Sequence, residues 1–461
     1  MGGPLHRMFL FLSGWLLATS LLAQSPRALL RAELQNHSHA MADLQVLCDE
    51  YGPRLTGSES LRKAQAWAMQ KLKEYGAEQV HEEAYDFARS WTRGTDSARL
   101  LTQSGMRLNV AAMAWNPGTQ GPIRAEVVDL EGPATELIPR LLTAKGKILR
   151  FGNIEAPKVD PTGEVRGTFV KTLKDCGAVA ILWAGNHRDG KMTMMGSPKD
   201  DYFTFLPPFP RLPFGFIQPE HGLMLHRLLQ AGKRVELELN LGGTFSSHPV
   251  QATNVVGEIL GSEKPEEVVI IGGHLDSWDL GQGASDNGTG AIAALETLRA
   301  IKASGVKPKR TLRVVLFSGE EQGEYGSKAY VKAHEKELAN VQAVLVHDSG
   351  SGKVKGFTVQ GREDLIPFLS QAITPLASTG VTDIPFTLHE QSDQDPFVEL
   401  GLPGFFAVQE DSDYNTSLHH SQVDTFDRVK AEDYLQGIQA IAQTGLFFAN
   451  LEARLPHRKP E

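Results

Sequence analysis

The sequence predicts an α/β protein: a layered domain with a largely parallel sheet, interrupted by a compact β-rich insert. Three observations carry this. From Thr253 onward, apolar runs of strand length alternate with helical stretches, the pattern of strands joined by crossover helices. Between Pro117-Gly118 and about Thr244 the texture differs, with short apolar runs cut by Gly and Pro. At 461 residues the chain is about three times the usual size of one domain, so more than one folded unit is expected.

The elements follow in order. Residues 8–23 are apolar, stand behind the weakly basic His6-Arg7 and precede polar Gln24-Ser25-Pro26. This describes a secretory signal peptide, residues 1–23, with Ala23 the last residue removed. Sixteen residues that include Ser, Gly and Thr are short for a membrane span, although Leu21 is larger than a cleavage site prefers and leaves a tethered form open. No later segment is long and apolar enough to cross a bilayer. A soluble protein, secreted or periplasmic, is expected. From Pro26 to about Tyr75, Leu29, Leu30, Leu34, Met41, Leu44 and Leu47 recur at helical spacing, and 64–75 repeats the habit. Strand-like patterns follow at 78–89 and 98–112. The insert carries strands at 125–130, 147–151, 178–183 and 235–239, with one or two helices. Beyond it come a strand at 267–272, a helix at 290–301, a strand at 311–317, a helix at 326–338 and a strand at 341–346.

Composition excludes several classes of function. Apolar residues are 41% and charged residues 22%, enough for a sizeable core and against global disorder. With 46 basic and 55 acidic residues the formal net charge is −9, a poor match for wrapping nucleic acid. The two cysteines, Cys48 and Cys176, are too few for a disulfide scaffold, and the sequence leaves open whether they pair.

The residues that carry chemistry gather where predicted strands end. The run from Val268 closes on His274-Leu-Asp276, and positions two apart on a strand face the same way. Both side chains can aim at one point, and a carboxylate such as Asp276 can orient a metal-bound imidazole. Alone, the pair is weak evidence and reads first as a capped strand terminus. Asp286, twelve residues past His274, would in isolation be a helix N-cap, but it lies one loop beyond the same strand. Glu320-Glu321 follow the strand at 311–317. Adjacent carboxylates there repel and lose hydration unless a multivalent cation sits at their focus, and one can then be a ligand while the other carries a proton. Asp348 ends the next strand, and His419-His420 precede Ser-Gln-Val-Asp424-Thr. Open α/β sheets build their sites at the carboxyl ends of strands. A His/Asp/Glu set without cysteine suits Zn²⁺ in hydrolysis, and five ligands with one bridging carboxylate fit two metals roughly 3.5–4 Å apart. His347 reads as packing beside its strand. Asn36, Asn287 and Asn415 open glycosylation triplets, that of Asn287 inside the metal motif.

The sequence His274-Leu-Asp-Ser-Trp-Asp-Leu-Gly-Gln-Gly-Ala-Ser-Asp286-Asn-Gly, the turn Glu320-Glu321-Gln-Gly and the element His420-Ser-x-x-Asp424-Thr resemble the co-catalytic dizinc exopeptidases of the M28 peptidase family. Ser392-Asp393-Gln394-Asp395-Pro396-Phe397, with Gly401-Leu-Pro403, resembles a further signature of that family. The likeness spans most of residues 30–455 in layout and is strong only from Thr253 to Asp424. It implies the zinc exopeptidase fold, a three-layer αβα sandwich with a mostly parallel mixed central sheet, formed by 24–117 and 247–461. It implies a protease-associated domain at 118–246 lying over the active-site cleft. Asp286 would bridge two Zn²⁺ ions per chain, with His274 and Asp348 on one side and Glu321 and His420 on the other. Glu320 would be the general base and acid, and Asp276 the partner of His274. A peptide substrate and a homodimer are implied as well. The chain departs from the pattern at Gln394, where many relatives carry histidine, and at His419, where relatives have tyrosine. His419 and Tyr414 are the candidates for oxyanion stabilisation.

The expected activity is hydrolysis of a peptide bond next to a free terminus of dipeptides or short peptides. Which terminus is trimmed is not written in the sequence. The competing readings are an aminopeptidase for longer peptides, a receptor-like protein on a silent peptidase fold, and one-metal aminoacyl cyclisation. The complete ligand set with Glu320 opposes the silent form, and the chain contains no His-Glu-x-x-His for a mono-zinc protease.

Overall fold

A computed structural model describes residues 25–458 except 103, 156–163, 186, 188 and 199–211, so the expected signal peptide lies outside the described residues. The chain opens with α1 (Pro26–Asn36), α2 (Ala40–Tyr51) and α3 (Glu59–Glu74). Ser25 and Ser58 cap α1 and α3, each hydroxyl accepting from a backbone N–H three residues on. The helical reading of 26–75 is broken at Gly52-Pro53, where the chain leaves α2 as a loop that reaches the site described below.

Two long strands follow the helices and frame a second module. β1 (Glu78–Arg93) leads into β2 (Ser97–Leu100), β3 (Arg107–Leu108), β4 (Val110–Ala112), β5 (Ile123–Pro133), α4 (Ala134–Leu141), β6 (Ile148–Glu155) and α5 (Glu164–Asp175). Then come β7 (Ala180–Trp183), β8 (Phe214–Ile217), α6 (Pro219–Gln230), β9 (Glu236–Asn240) and the return strand β10 (Gly243–Ile259). The second sheet has the order β3-β2-β9-β5-β6-β7-β8-β4, with β5 to β8 parallel. It carries three helices, where one or two are expected from sequence. It also takes up strands from residue 97, ahead of the break at Pro117-Gly118. That break is a turn inside the module, with Gly118 set tightly against Leu241.

The remaining elements build the first sheet: β11 (Lys264–His274), α7 (Thr289–Ala303), β12 (Arg310–Phe317), α8 (Tyr325–Ala333), β13 (Val341–Val346), β14 (Val354–Phe357), α9 (Ile366–Ile373), α10 (Asp395–Glu399), β15 (Gly404–Gln409) and α11 (Ala431–Asn450). Its order is β1-β10-β12-β11-β13-β15-β14. The four inner strands β12, β11, β13 and β15 run parallel and the flanking ladders are antiparallel, so the sheet is mixed. The inner strands are apolar almost without interruption because both of their faces are covered. Val269, Ile271, Leu312 and Val314 join one buried cluster with α1–α3, α7 and α11. Their neighbours Val268, Ile270, Val315 and Phe317 join another with Tyr330 and Val331 of α8 and Phe397 of α10.

One glycine contact matters for the site. A Cβ on Gly290, in the first turn of α7, would lie 2.1 Å from the His347 carbonyl oxygen, and one on Gly273 would lie 2.8 Å from the Gly290 carbonyl carbon. Only glycine lets α7 start this close to the ends of β11 and β13. Between the modules, Arg93 at the end of β1 donates to both Asp279 and Asp96, and the Asp96 carboxylate accepts from the N–H groups of Gly242 and Ala112.

Candidate metal centre

Because the inner strands are parallel, their carboxyl ends reach one edge of the sheet. There β11 ends in His274, β12 runs into Glu320 and Glu321, β13 into Asp348, and the chain beyond β15 into His420. His274 Nε2 lies 3.2 Å from Asp348 Oδ1, 3.5 Å from Asp286 Oδ1 and 3.7 Å from Glu320 Oε2. On the far side of Asp286, Oδ2 lies 3.6 Å from His420 Nε2, and that nitrogen is 3.0 Å from Glu321 Oε2. His274, Asp286, Glu320, Glu321, Asp348 and His420 thus converge, and Asp286 faces both groups at once.

Neighbouring residues fix these side chains. The His274 Nδ1 edge faces the Asp276 carbonyl at 3.0 Å and its carboxylate at 3.6 Å. Asp276 Oδ2 accepts from the Thr56 hydroxyl at 2.7 Å, and Asp348 Oδ2 from the Ser392 hydroxyl at 2.6 Å. Asp424 accepts from the backbone N–H groups of Ser285 at 2.7 Å and Asp286 at 3.0 Å, which sets the turn that carries Asp286. The fully buried Arg54 guanidinium donates to the carbonyls of Leu275, Gln282 and Gly283. Sequence reasoning missed Arg54 and Thr56, which sit in a segment read as helix. The only available signal was Gly52-Pro53 interrupting the helical period.

The electrostatics follow from crowding. Burial, together with the charges of Asp348, Glu321 and Asp393, pushes the Glu320 carboxyl well above its ordinary range against the pull of His274. Burial and Asp286 do the same to Glu321. For His274, burial opposes the charged ring, but the carboxylates of Asp348 and Glu320 outweigh it and hold the imidazole protonated well above its usual range. Asp286 resists its own burial chiefly through the bond from His274, and stays below the usual carboxylate range. Asp393 is buried, and burial raises it strongly against the charge of His274 and a bond from Ser327.

The donor set fits divalent zinc. It consists of imidazole nitrogens and carboxylate oxygens with no thiolate, and these atoms lie within 4.8 Å of one another in overlapping groups. Asp286 Oδ2 is buried with no hydrogen-bond partner, as expected of an oxygen shaped for a cation. A similar triad in the second module, Asp129, Glu131 and His226, is different: Arg150 donates to Asp129 at 2.9 Å and to Glu131 at 2.7 Å, so a guanidinium already neutralises it.

Other candidate residues are placed as follows. His419 stacks on His420 at 3.8 Å and lies 3.9 Å from Asp286 Oδ2, but it is half-exposed, whereas His420 touches two carboxylates. Tyr414 is buried beside His419, with ring centroids 5.1 Å apart. The Gln394 amide donates to the His389 carbonyl and to Asp395. His347 packs on Tyr434 in the core, where burial holds its ring down to about 4. Asn287 is buried, bonded to the His347 carbonyl and the Gly290 N–H. Cys48 and Cys176 are both free thiols.

Peptidase family M28 matches residues 254–444. Carboxypeptidase Q of Xenopus laevis is 34% identical over 394 residues, which cover 85% of this chain and 81% of that protein. The crystal structure of a peptidase M28 precursor from Shewanella amazonensis SB2B superposes with a TM-score of 0.78 at 27% identity, covering 94% of this chain and 98% of that one. BSAP, a zinc aminopeptidase from Bacillus subtilis, shares the fold with a TM-score of 0.65 at 20% identity, covering 92% and 98%. The chain belongs to peptidase family M28 and is a metallo-exopeptidase.

Proposed function

We propose that the chain is a zinc-dependent exopeptidase that hydrolyses the peptide bond next to a free terminus in dipeptides or short peptides. His274, Asp286, Glu321, Asp348 and His420 would hold two zinc ions per chain. One observation carries the reading: Asp286 turns one carboxylate oxygen toward the His274–Asp348 group and the other toward the His420–Glu321 group, at 3.5 and 3.6 Å. The zinc named for the Bacillus aminopeptidase and the peptidase names of the other relatives support it.

When bound, zinc would polarise the scissile carbonyl and make an attacking water more acidic. Glu320 takes the proton from that water and returns it to the departing amine. Its position 3.7 Å from His274 Nε2 puts it on the rim of the donor set, within reach of a water held there. Asp276 orients the His274 ring so that Nε2 faces the donor set. In this reading the first sheet and its two helical coverings form the three-layer αβα zinc exopeptidase fold. The second module is its protease-associated domain, and residues 1–23 are the leader of a secreted or periplasmic enzyme.

The test is a panel of free, N-blocked and C-blocked dipeptides, each with and without chelator. Turnover of unblocked substrate that disappears with chelator and returns with zinc is expected. Cleavage of C-blocked but not N-blocked substrates would identify an aminopeptidase, the reverse a carboxypeptidase, and a requirement for both ends a dipeptidase. Chelator-insensitive turnover would refute the reading.

A further inference from the structure

Of the five ligand positions, His420 alone has a left-handed backbone. Its φ of 52° lies in the left-handed region that a non-glycine residue seldom occupies without support, and it follows a short π-helical turn, Tyr414–Leu418, rather than a sheet strand. That support comes from the second module. The Met194 N–H donates to the His420 carbonyl at 2.6 Å, and Thr193 forms an antiparallel bridge with Ser421. The Gln422 side chain closes on the same strap from both sides: Oε1 accepts from the Met192 N–H at 2.7 Å, and Nε2 donates to the Gly190 carbonyl at 2.8 Å. Lys191 Nζ donates to the Ser417 hydroxyl at 2.9 Å.

The ring of His420 is held from the same side. It meets Trp278, of the loop after β11, edge to face at 5.7 Å, and Trp278 meets Trp115 of the second module at 6.3 Å within a buried cluster that both modules share. Among the described residues, the supports of His274 and Asp348, Asp276 and Ser392, come from the first module.

We propose that the second module is a working part of the metal centre: its strap from Gly190 to Met194 positions His420, and so sets the cation affinity of the half formed by Asp286, Glu321 and His420 while leaving the His274–Asp348 half alone. The inference rests on the two-zinc reading above. The strap residues are positioning residues, for they touch neither substrate nor cation. Loss of such outer supports commonly weakens metal binding about 10–100-fold.

The test is zinc content per chain, measured by mass spectrometry on full-length protein equilibrated in zinc buffers of graded free concentration. Wild type should fill in two steps. Gln422→Ala removes both side-chain bonds to the strap, and it should weaken one step at least tenfold and leave the other unchanged. Ser392→Ala, which frees Asp348, should shift the opposite step. Lys191→Ala is the milder strap variant should Gln422→Ala fail to fold, with thermal melting as the check, and it should move the same step in the same direction. Two unaltered steps in a folded strap variant would overturn this inference and leave the two-zinc reading intact. A wild type that binds only one zinc would overturn both.

Discussion

Glu320→Gln separates the chemistry of this centre from its architecture, because the amide keeps the shape of the side chain and removes its charge. Four of the neighbouring carboxylates are already engaged. Asp348 and Asp276 accept bonds from Ser392 and Thr56, Asp424 is committed to two backbone N–H groups, and Glu321 faces His420. The loss should therefore fall in the upper part of the range for general acid–base catalysis, about 10³–10⁴-fold in kcat. At 1.36 kcal/mol per decade that is about 4–5.5 kcal/mol of barrier. Stability should move the other way. Burial and the surrounding carboxylates raise the folded-state proton affinity of Glu320, so its ionised form costs stability at any pH above the ordinary carboxylate range. The metal-free variant at pH 7 should melt above metal-free wild type. Dipeptide turnover, zinc content and thermal melts after chelation measure the three quantities. A variant that keeps its zinc and loses less than tenfold in kcat would refute the assignment, and a lower metal-free melting point would refute the electrostatics.

Further outcomes are expected away from Glu320. Asp424→Asn can satisfy only one of the two N–H groups of Ser285 and Asp286, which should cost about 1.5–3 kcal/mol by chemical denaturation and weaken zinc binding about tenfold. Unchanged values on both counts would show that Asp424 does not set that turn. Burial raises Asp395 to about 7, so between pH 4 and 7 the folded chain keeps a proton that the unfolded chain has released. Its contribution to stability thus falls as pH rises through this window, with a slope of at most about 1.4 kcal/mol per pH unit. Asp395→Asn should remove that slope from a urea series across pH, and an identical slope in the variant would count against it. Burial pushes the Cys48 thiol up to about 12, while Cys176 is only partly buried. A thiol reagent at pH 8 should label one cysteine per folded chain and two after unfolding.

The parallel core was legible because its strands are apolar runs buried on both faces, and each ends in the polar residues of the site. His274, Glu320 and Asp348 are readable for that reason: the switch from apolar to charged marks both the strand end and the chemistry. Asp286 was legible through its motif rather than its shape, since alone it resembles a helix cap. What stayed hidden depends on long-range packing. Nothing local in Pro53-Arg54-Leu-Thr56 shows that this loop crosses to the end of β11. The origin of the second module was hidden for a related reason. Strands at 97–112 look like a continuation of β1, and only their pairing with β9 and β8 assigns them to the other sheet.

Arg54 accounts for how so many acidic groups coexist without cancelling their own ligand oxygens. A guanidinium placed directly on Asp276 or Asp286 would lower the repulsion but occupy the atoms a cation needs, as Arg150 does to Asp129 and Glu131. Arg54 instead spends its donors on three carbonyls of the loop between β11 and Asp286, at 2.6, 2.7 and 2.8 Å, while its charge still acts on Asp276, Asp286 and Asp424. Lysine at this position would retain the charge, but a single nitrogen cannot span carbonyls on both sides of the loop. Arg54→Lys should leave two buried carbonyls without a charged donor and cost about 3 kcal/mol or more in denaturant stability, with weaker zinc binding. A loss below about 1 kcal/mol would mean that charge rather than the geometry of the fork is what this position supplies.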